Sequence, residues 1–203
     1  MHRAVFLDRD GTVNVEVGYL RDLADLRLID GAGAAIRRLN EAGLKVVLVT
    51  NQSGVARGYF PESLVNEAHV RLDRMLREEG ARIDAVYYCP HHPTAGNSIY
   101  TVACDCRKPG TGLIDRAARD LDIDVKRSYM VGDKWSDVEL GQRAGARSIL
   151  VQSGFAPDDP GNTRPVHISD PDFIARTILE AADWIVQQIT NDNRFAKSPK
   201  VSP

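Results

Sequence analysis

The sequence predicts an α/β protein, a three-layer Rossmann-like domain built around a central parallel sheet. Short apolar runs of strand length alternate with longer segments whose apolar residues recur at helical spacing. The runs are almost unbroken in their apolarity, as expected of strands covered on both faces. Several of them end in acid, hydroxyl or amide residues, and an open α/β sheet collects its chemistry beyond the carboxyl ends of its strands.

The first run, Arg3 to Leu7, stops where Asp8 and Asp10 begin. Two carboxylates one residue apart repel each other unless a cation or a proton lies between them, so the pair suggests a magnesium site, an acid/base pair, or both. Asp10-Gly11 also suits an ordinary solvated turn. Asp30 is placed as the N-cap of a helix with Ala32, Ala35, Ile36 and Leu39 inward, closed by Gly43. Leu44 to Val49 is the second strand. It runs out into Thr50-Asn51-Gln52-Ser53-Gly54, a stretch equally suited to offering donors to an anion and to making a turn. Residues 61–79 form a helix with Leu64, Val65, Ala68, Leu72, Met75 and Leu76 on its core face and Gly80 as its stop. Ile83 to Tyr88 is the third strand and delivers Cys89. A helix over 112–121, a strand over 128–131, a helix over 136–144 and a strand over 147–151 follow. The Pro-, Gly- and Asp-rich residues 157–165 read as a surface loop. Residues 171–189 read as a closing helix with Phe173, Ile174, Ile178, Ala181, Ala182, Ile185 and Ile189 inward, and the polar residues from Thr190 onward as a disordered tail. Without a repeat or a linker, residues 1–189 make one domain.

The chain has 203 residues, a net charge of -2 and a pI near 6.2. Its basic residues are scattered, which argues against nucleic acid and leaves small solutes as the expected partners. No signal peptide and no apolar run of membrane-spanning length is visible, so a soluble, cytoplasmic protein is expected, with a monomer as the default. The three cysteines cannot all pair within the chain, and their clustering favours a metal over a disulfide.

Cys89-Pro90-His91-His92 and Cys104-Asp105-Cys106 form the most specific metal signature. Three thiolates and an imidazole suit tetrahedral zinc with no open position for chemistry, a structural site that pins a loop lacking a core of its own. Either histidine completes the set, and the Cys-x-His spacing favours His91. Arg107 and Lys108 follow directly, so the loop ends in two cations able to face phosphate over the strand ends. Asp133 and Asp137, four apart where a strand gives way to a helix, lie on one face and can share a cation. Acid, hydroxyl, base and acid at successive strand ends make an inventory for phosphoryl transfer.

Taken together, Asp8-x-Asp10-Gly11-Thr12, Thr50, Lys108 and Gly132-Asp133-x-x-x-Asp137 resemble the four signatures of haloacid dehalogenase-like phosphatases. Within that superfamily, Phe6 to Asn14, Gly18-Tyr19, residues 49–58, 87–93 and 104–109, and Tyr129 to Lys134 resemble the D-glycero-D-manno-heptose-1,7-bisphosphate 7-phosphatase family, with the histidinol-phosphatases next. The resemblance implies a magnesium-dependent phosphatase with Asp8 as nucleophile, Asp10 as acid and base, and Thr50 and Lys108 on the transferring phosphoryl group. It implies magnesium on Asp8, Asp133 and the backbone carbonyl of Asp10, and structural zinc on Cys89, His91, Cys104 and Cys106. Contacts to a small phosphorylated sugar carry over to Glu16, Val17, Gly18, Tyr19, Asn51, Gln52, Ser53, Arg107 and Lys134. The lengths between the motifs leave no room for a separate cap domain, so an open site is expected, with selectivity coming from the Glu16 to Leu20 loop and the zinc loop.

Overall fold

The computed structural model describes residues 1–96, 99–155 and 162–197, the last five of these by backbone alone. Six strands, β1 (Ala4–Leu7), β2 (Lys45–Asn51), β3 (Ala85–Cys89), β4 (Tyr129–Gly132), β5 (Arg147–Val151) and β6 (Phe173–Ala175), form one sheet in the order β3-β2-β1-β4-β5-β6. Every neighbouring pair is parallel. The helices are α1 (Ala32–Glu41), α2 (Glu62–Glu78), α3 (Gly112–Leu121), α4 (Trp135–Ala144) and α5 (Ile178–Lys197).

Period-two alternation in the central strands sorts their side chains into two cores. Val5 and Leu7 of β1, Val46 and Leu48 of β2, and Tyr129 and Val131 of β4 pack with α1, α2 and α5. Ala4 and Phe6, Val47 and Val49, and Met130 point the other way, against α3 and Leu140 of α4. Both sheet faces are therefore covered, which is why the strands carry so few polar residues. The chain leaves β1 toward β2 and β3, then returns to β4 on the opposite side and continues to β5 and β6. Strand order thus reverses between β1 and β4, and the crevice beyond their carboxyl ends is the topological switch point.

Three expectations need correction. Gly31, in the left-handed region at φ 82°, is the N-cap of α1, and Asp30 does not cap it. The segment 171–189 is not one helix: Phe173–Ala175 forms β6 on the exposed flank of β5, and α5 starts only at Ile178. A β-rich Phe-Ile-Ala triplet beside an open strand edge follows period two, so Ala175 turns inward and Ile174 is half exposed. At its far end α5 continues to Lys197, past the Thr190 at which disorder was expected. Part of the loop expected over 157–165, and residues 198–203, lie outside the described residues. Among the described residues no helix is long and apolar enough to cross a membrane.

Candidate active site

The switch point carries three buried carboxylates. Asp8 follows β1, Asp133 follows β4, and Asp137 sits in the first turn of α4; each offers an oxygen within 4.8 Å of the others. Close backbone packing makes this possible. Gly11 has φ 84°, and a Cβ there would collide with the Asp133 carboxylate, while one on Gly132 would collide with Asp137. Asp133 is further fixed by the Phe155 N–H, 3.0 Å from its Oδ2, and Asp137 Oδ2 accepts the Lys134 N–H at 3.1 Å. Lys108, also buried, inserts its ammonium between two of the acids, with Nζ 2.7 Å from Asp8 Oδ1 and 2.7 Å from Asp137 Oδ1.

The charge at this point does not balance. Burial, reinforced by the charges of Asp8 and Asp137, pushes Asp133 up to about 7. Asp137 is also raised, by burial first, although Lys108 pulls against it. Lys108 goes the opposite way from what burial alone would do, because Asp137 and Asp8 hold it charged. Three hard oxygen donors with one ammonium among them are a set that fits magnesium, the cation whose charge would relieve their repulsion. Asp10 contributes no carboxylate to this cluster. Its oxygens are turned to Arg9, Asn14 and Gln52, leaving only its backbone carbonyl for a magnesium ion at the cluster. Burial alone would raise the Asp10 carboxyl, but the Arg9 guanidinium and these hydrogen bonds bring it down to about 2.

A cavity of about 460 Å³ opens over the cluster, lined by Asp8, Asp10, Glu16, Gly18, Tyr19, Thr50, Asn51, Gln52, Ser53, Arg107, Lys108 and Lys134. Of the substrate contacts expected from the sequence, only Val17 is absent from this lining; it is partly exposed instead. Two of the others are engaged elsewhere. The Asn51 carboxamide clamps the Lys108 backbone, accepting its N–H at 3.0 Å and donating to its carbonyl at 3.2 Å. The Gln52 amide donates to Asp10 Oδ2 at 2.9 Å and Thr50 Oγ1 at 3.0 Å. At the mouth, Lys134 pairs with Glu16 at 3.3 Å and stands 4.3 Å from the Phe155 ring centroid. Tyr19 meets Tyr59 edge-on, and Arg21 lies over the other's ring.

The cavity also has lining residues to which the sequence reading gave no part in the site: Phe60, Ser136 and Phe155. Phe155 had no signal, since it lies in a loop after β5 with no pattern of its own. Arg9 was visible as a charge trapped between two acids, and its burial at 1 % exposure marks it as part of the machinery.

At the carboxyl end of β3, Cys89, His91, Cys104 and Cys106 converge. Their separations, Cys89 Sγ to Cys104 Sγ 3.5 Å, Cys106 Sγ to Cys104 Sγ 3.3 Å and His91 Nδ1 to Cys106 Sγ 3.3 Å, are close to the edges of a tetrahedron around zinc, about 3.8 Å for two ligands at the usual Zn–S distance. The donors fit zinc. His91 is the imidazole of the set, because His92 is occupied with Arg57 and the Thr94 and Ala95 amides. Arg107 leaves the loop donating to the His91 carbonyl at 3.2 Å, which ties the cavity wall to the cysteine cluster.

An acid cluster at the switch point of a parallel sheet, a lysine braced between two of its members and a hydroxyl on the neighbouring strand define a phosphatase of the haloacid dehalogenase-like hydrolases. A family model described as HAD-hydrolase-like matches residues 105–181. A D-glycero-D-manno-heptose-1,7-bisphosphate 7-phosphatase of Thermosynechococcus vestitus is 47% identical over 186 residues, 90% of this chain and 94% of its own. The D-glycero-beta-D-manno-heptose-1,7-bisphosphate 7-phosphatase of Escherichia coli K12 is 42% identical over 189 residues, 93% and 90% of the two chains. The crystal structure of the D,D-heptose 1,7-bisphosphate phosphatase of B. bronchiseptica with magnesium and phosphate superposes with a TM-score of 0.79 at 32% identity, covering 92% of this chain and 99% of that one. The chain belongs to the D-glycero-D-manno-heptose-1,7-bisphosphate 7-phosphatase family.

Proposed function

We propose that the protein hydrolyses the 7-phosphate of D-glycero-D-manno-heptose 1,7-bisphosphate, a step of nucleotide-heptose synthesis, through an aspartyl-phosphate on Asp8. The observation that carries the chemistry is Lys108 bridging Asp8 and Asp137, with Asp133 adjacent, at the floor of a cavity sized for a sugar phosphate. The substrate assignment is supported by the family and by the near-complete overlap with relatives of that name.

In the first half-reaction the Asp8 oxygen forms a bond to phosphorus while the bond from phosphorus to the C7 oxygen breaks. The electron pair leaves on the sugar oxygen, which takes a proton from Asp10; the carboxyl, held low by Arg9 in the free protein, carries that proton once the charge of the bound phosphate raises it. In the second, water attacks the phosphorus of the acyl phosphate and gives its proton to Asp10. The P–O bond to Asp8 breaks, orthophosphate departs and the carboxylate returns. Lys108, with Thr50 on the next strand, covers the charge developing on the phosphoryl oxygens, and the Asn51 clamp on its backbone keeps the ammonium in place. A magnesium ion on Asp8, Asp133, Asp137 and the Asp10 carbonyl would offset the repulsion between the nucleophile and the phosphate dianion. Arg107 and Lys134, both in the wall of the cavity, supply cations for the polar body of the sugar and its remaining phosphate. The zinc loop contributes no reacting group; it holds Arg107.

Purified protein with magnesium is expected to release phosphate from the heptose bisphosphate with a kcat/KM well above that for histidinol phosphate, and to lose this activity in EDTA. A preference for histidinol phosphate would reassign the substrate, and binding without phosphate release would make the protein a sensor and not an enzyme.

A further inference from the structure

Asp10 is held on one side by Gln52 of the cavity wall and on the other by groups that stay out of the cavity. Arg9 turns away from the pocket, and its fork meets the neighbouring carboxylate with Nε at 3.1 Å and Nη2 at 3.0 Å from Oδ1, and Nη2 at 2.8 Å from Oδ2. Nη2 also donates to Gln52 Oε1 at 3.0 Å. The remaining arm, Nη1, lies 3.3 Å from Nε2 of His69 on α2. Neither Arg9 nor His69 lines the cavity.

An arginine has no acceptor, so His69 must offer Nε2 as a lone pair and carry its proton on Nδ1. Burial, and then the Arg9 charge, depress the imidazole to about 3, so it remains a neutral acceptor over the working range of any enzyme near neutral pH. The ring is steadied by Tyr88, 5.5 Å away centroid to centroid. A guanidinium buried against a single carboxylate is an expensive way to fill space, since apolar residues of the same volume are often equally stable or better. What it supplies is a planar fork that fixes the carboxylate plane.

We propose that His69 and Arg9 are positioning residues for proton transfer: His69 fixes the guanidinium, and the guanidinium sets the direction in which Asp10 faces the leaving oxygen. This inference rests on Asp10 being the acid of the proposed reaction. A displacement of about 1 Å at a reacting group can lower a rate by about a hundredfold, so a brace two residues removed from the substrate is kinetically visible.

The test compares kcat/KM on the heptose bisphosphate, whose alkoxide needs a proton to leave, with that on 4-nitrophenyl phosphate, whose phenolate leaves without one. His69→Leu is expected to lose about tenfold or more in kcat/KM on the sugar relative to its loss on the aryl ester. His69→Gln, which restores an acceptor, should recover most of that difference. Arg9→Lys, which keeps the charge and removes the fork, should discriminate as His69→Leu does and serves if the leucine variant fails to fold. Equal losses on both substrates, or a glutamine variant no better than leucine, would reduce His69 to a packing residue. Asp10→Asn is the control. If it discriminates and the brace variants do not, the inference alone falls; if it does not discriminate, the acid assignment falls and takes the inference with it.

Discussion

Replacing Lys108 by Met keeps most of the side-chain volume and removes the ammonium seated between Asp8 and Asp137. Both contacts are 2.7 Å, and all three groups are buried. Removing one member of a buried ion pair costs about 3–5 kcal/mol, because the partners are left uncompensated. With a urea m-value of about 2–3 kcal/mol/M, that places the unfolding midpoint about 1–2.5 M lower than wild type in metal-free buffer. The carboxylates can relieve themselves by taking up a proton. Without Lys108 the charge that pulls Asp137 down is gone, so Asp137 rises further in the native variant, which then binds protons that native wild type does not, and its deficit should grow from pH 6 to pH 8. Magnesium should raise the variant's midpoint more than the wild type's, since it then replaces the cation lost from between Asp8 and Asp137. Phosphatase activity should fall by at least about a hundredfold even with magnesium saturating. The assay is urea unfolding followed by circular dichroism at two pH values, with and without magnesium. A variant as stable as wild type without metal, or one that gains less from magnesium than wild type does, would refute the reading of this cluster as a cation-demanding site.

Asn51→Ala should lower kcat by about tenfold or more with little change in KM, because its carboxamide holds the Lys108 backbone and not the substrate; a pure KM effect in steady-state kinetics would restore it as a substrate contact. Cys104→Ser should reduce zinc content measured by atomic absorption and lower the thermal midpoint, while His92→Ala should leave the zinc content unchanged. His69 binds its proton at about pH 3 in the folded protein and near 6.5 in the unfolded chain, so the unfolded state takes up the extra proton between those values. Wild type should therefore lose stability relative to His69→Gln as pH falls from 6.5 toward 3, which urea midpoints at pH 7, 5 and 4 would show.

Much of this was legible in the chain. Uniformly apolar strands such as Val46 to Val49 announce burial on both faces, and their polar exits, Asp8, Thr50 and Asp133, mark the site before any coordinate is known. Cys89, His91, Cys104 and Cys106 could be grouped because thiolates at short spacing have few other uses. What sequence spacing could not reveal is which side chains hold others in place. Asn51 and Gln52 were read as substrate contacts, and both line the cavity, yet the exit of β2 also directs one carboxamide to Lys108, 57 residues away, and the other to Asp10. His69 lies on a helix among charged neighbours, and only the packing of α2 against the loop after β1 brings it to Arg9. The strand Phe173–Ala175 was hidden for a related reason: its three residues fit a helical period as well as an alternating one, and the open edge of β5 decides between them.

The account depends on Asp8 receiving the phosphoryl group. An enzyme sample quenched during turnover with borohydride, which reduces an acyl phosphate to the alcohol, and then digested and sequenced by mass spectrometry, reads this directly. Homoserine at position 8, present only with substrate and magnesium and absent in Asp8→Asn, is the predicted result. An unmodified Asp8 under conditions of full turnover, or reduction at a different carboxylate, would contradict it.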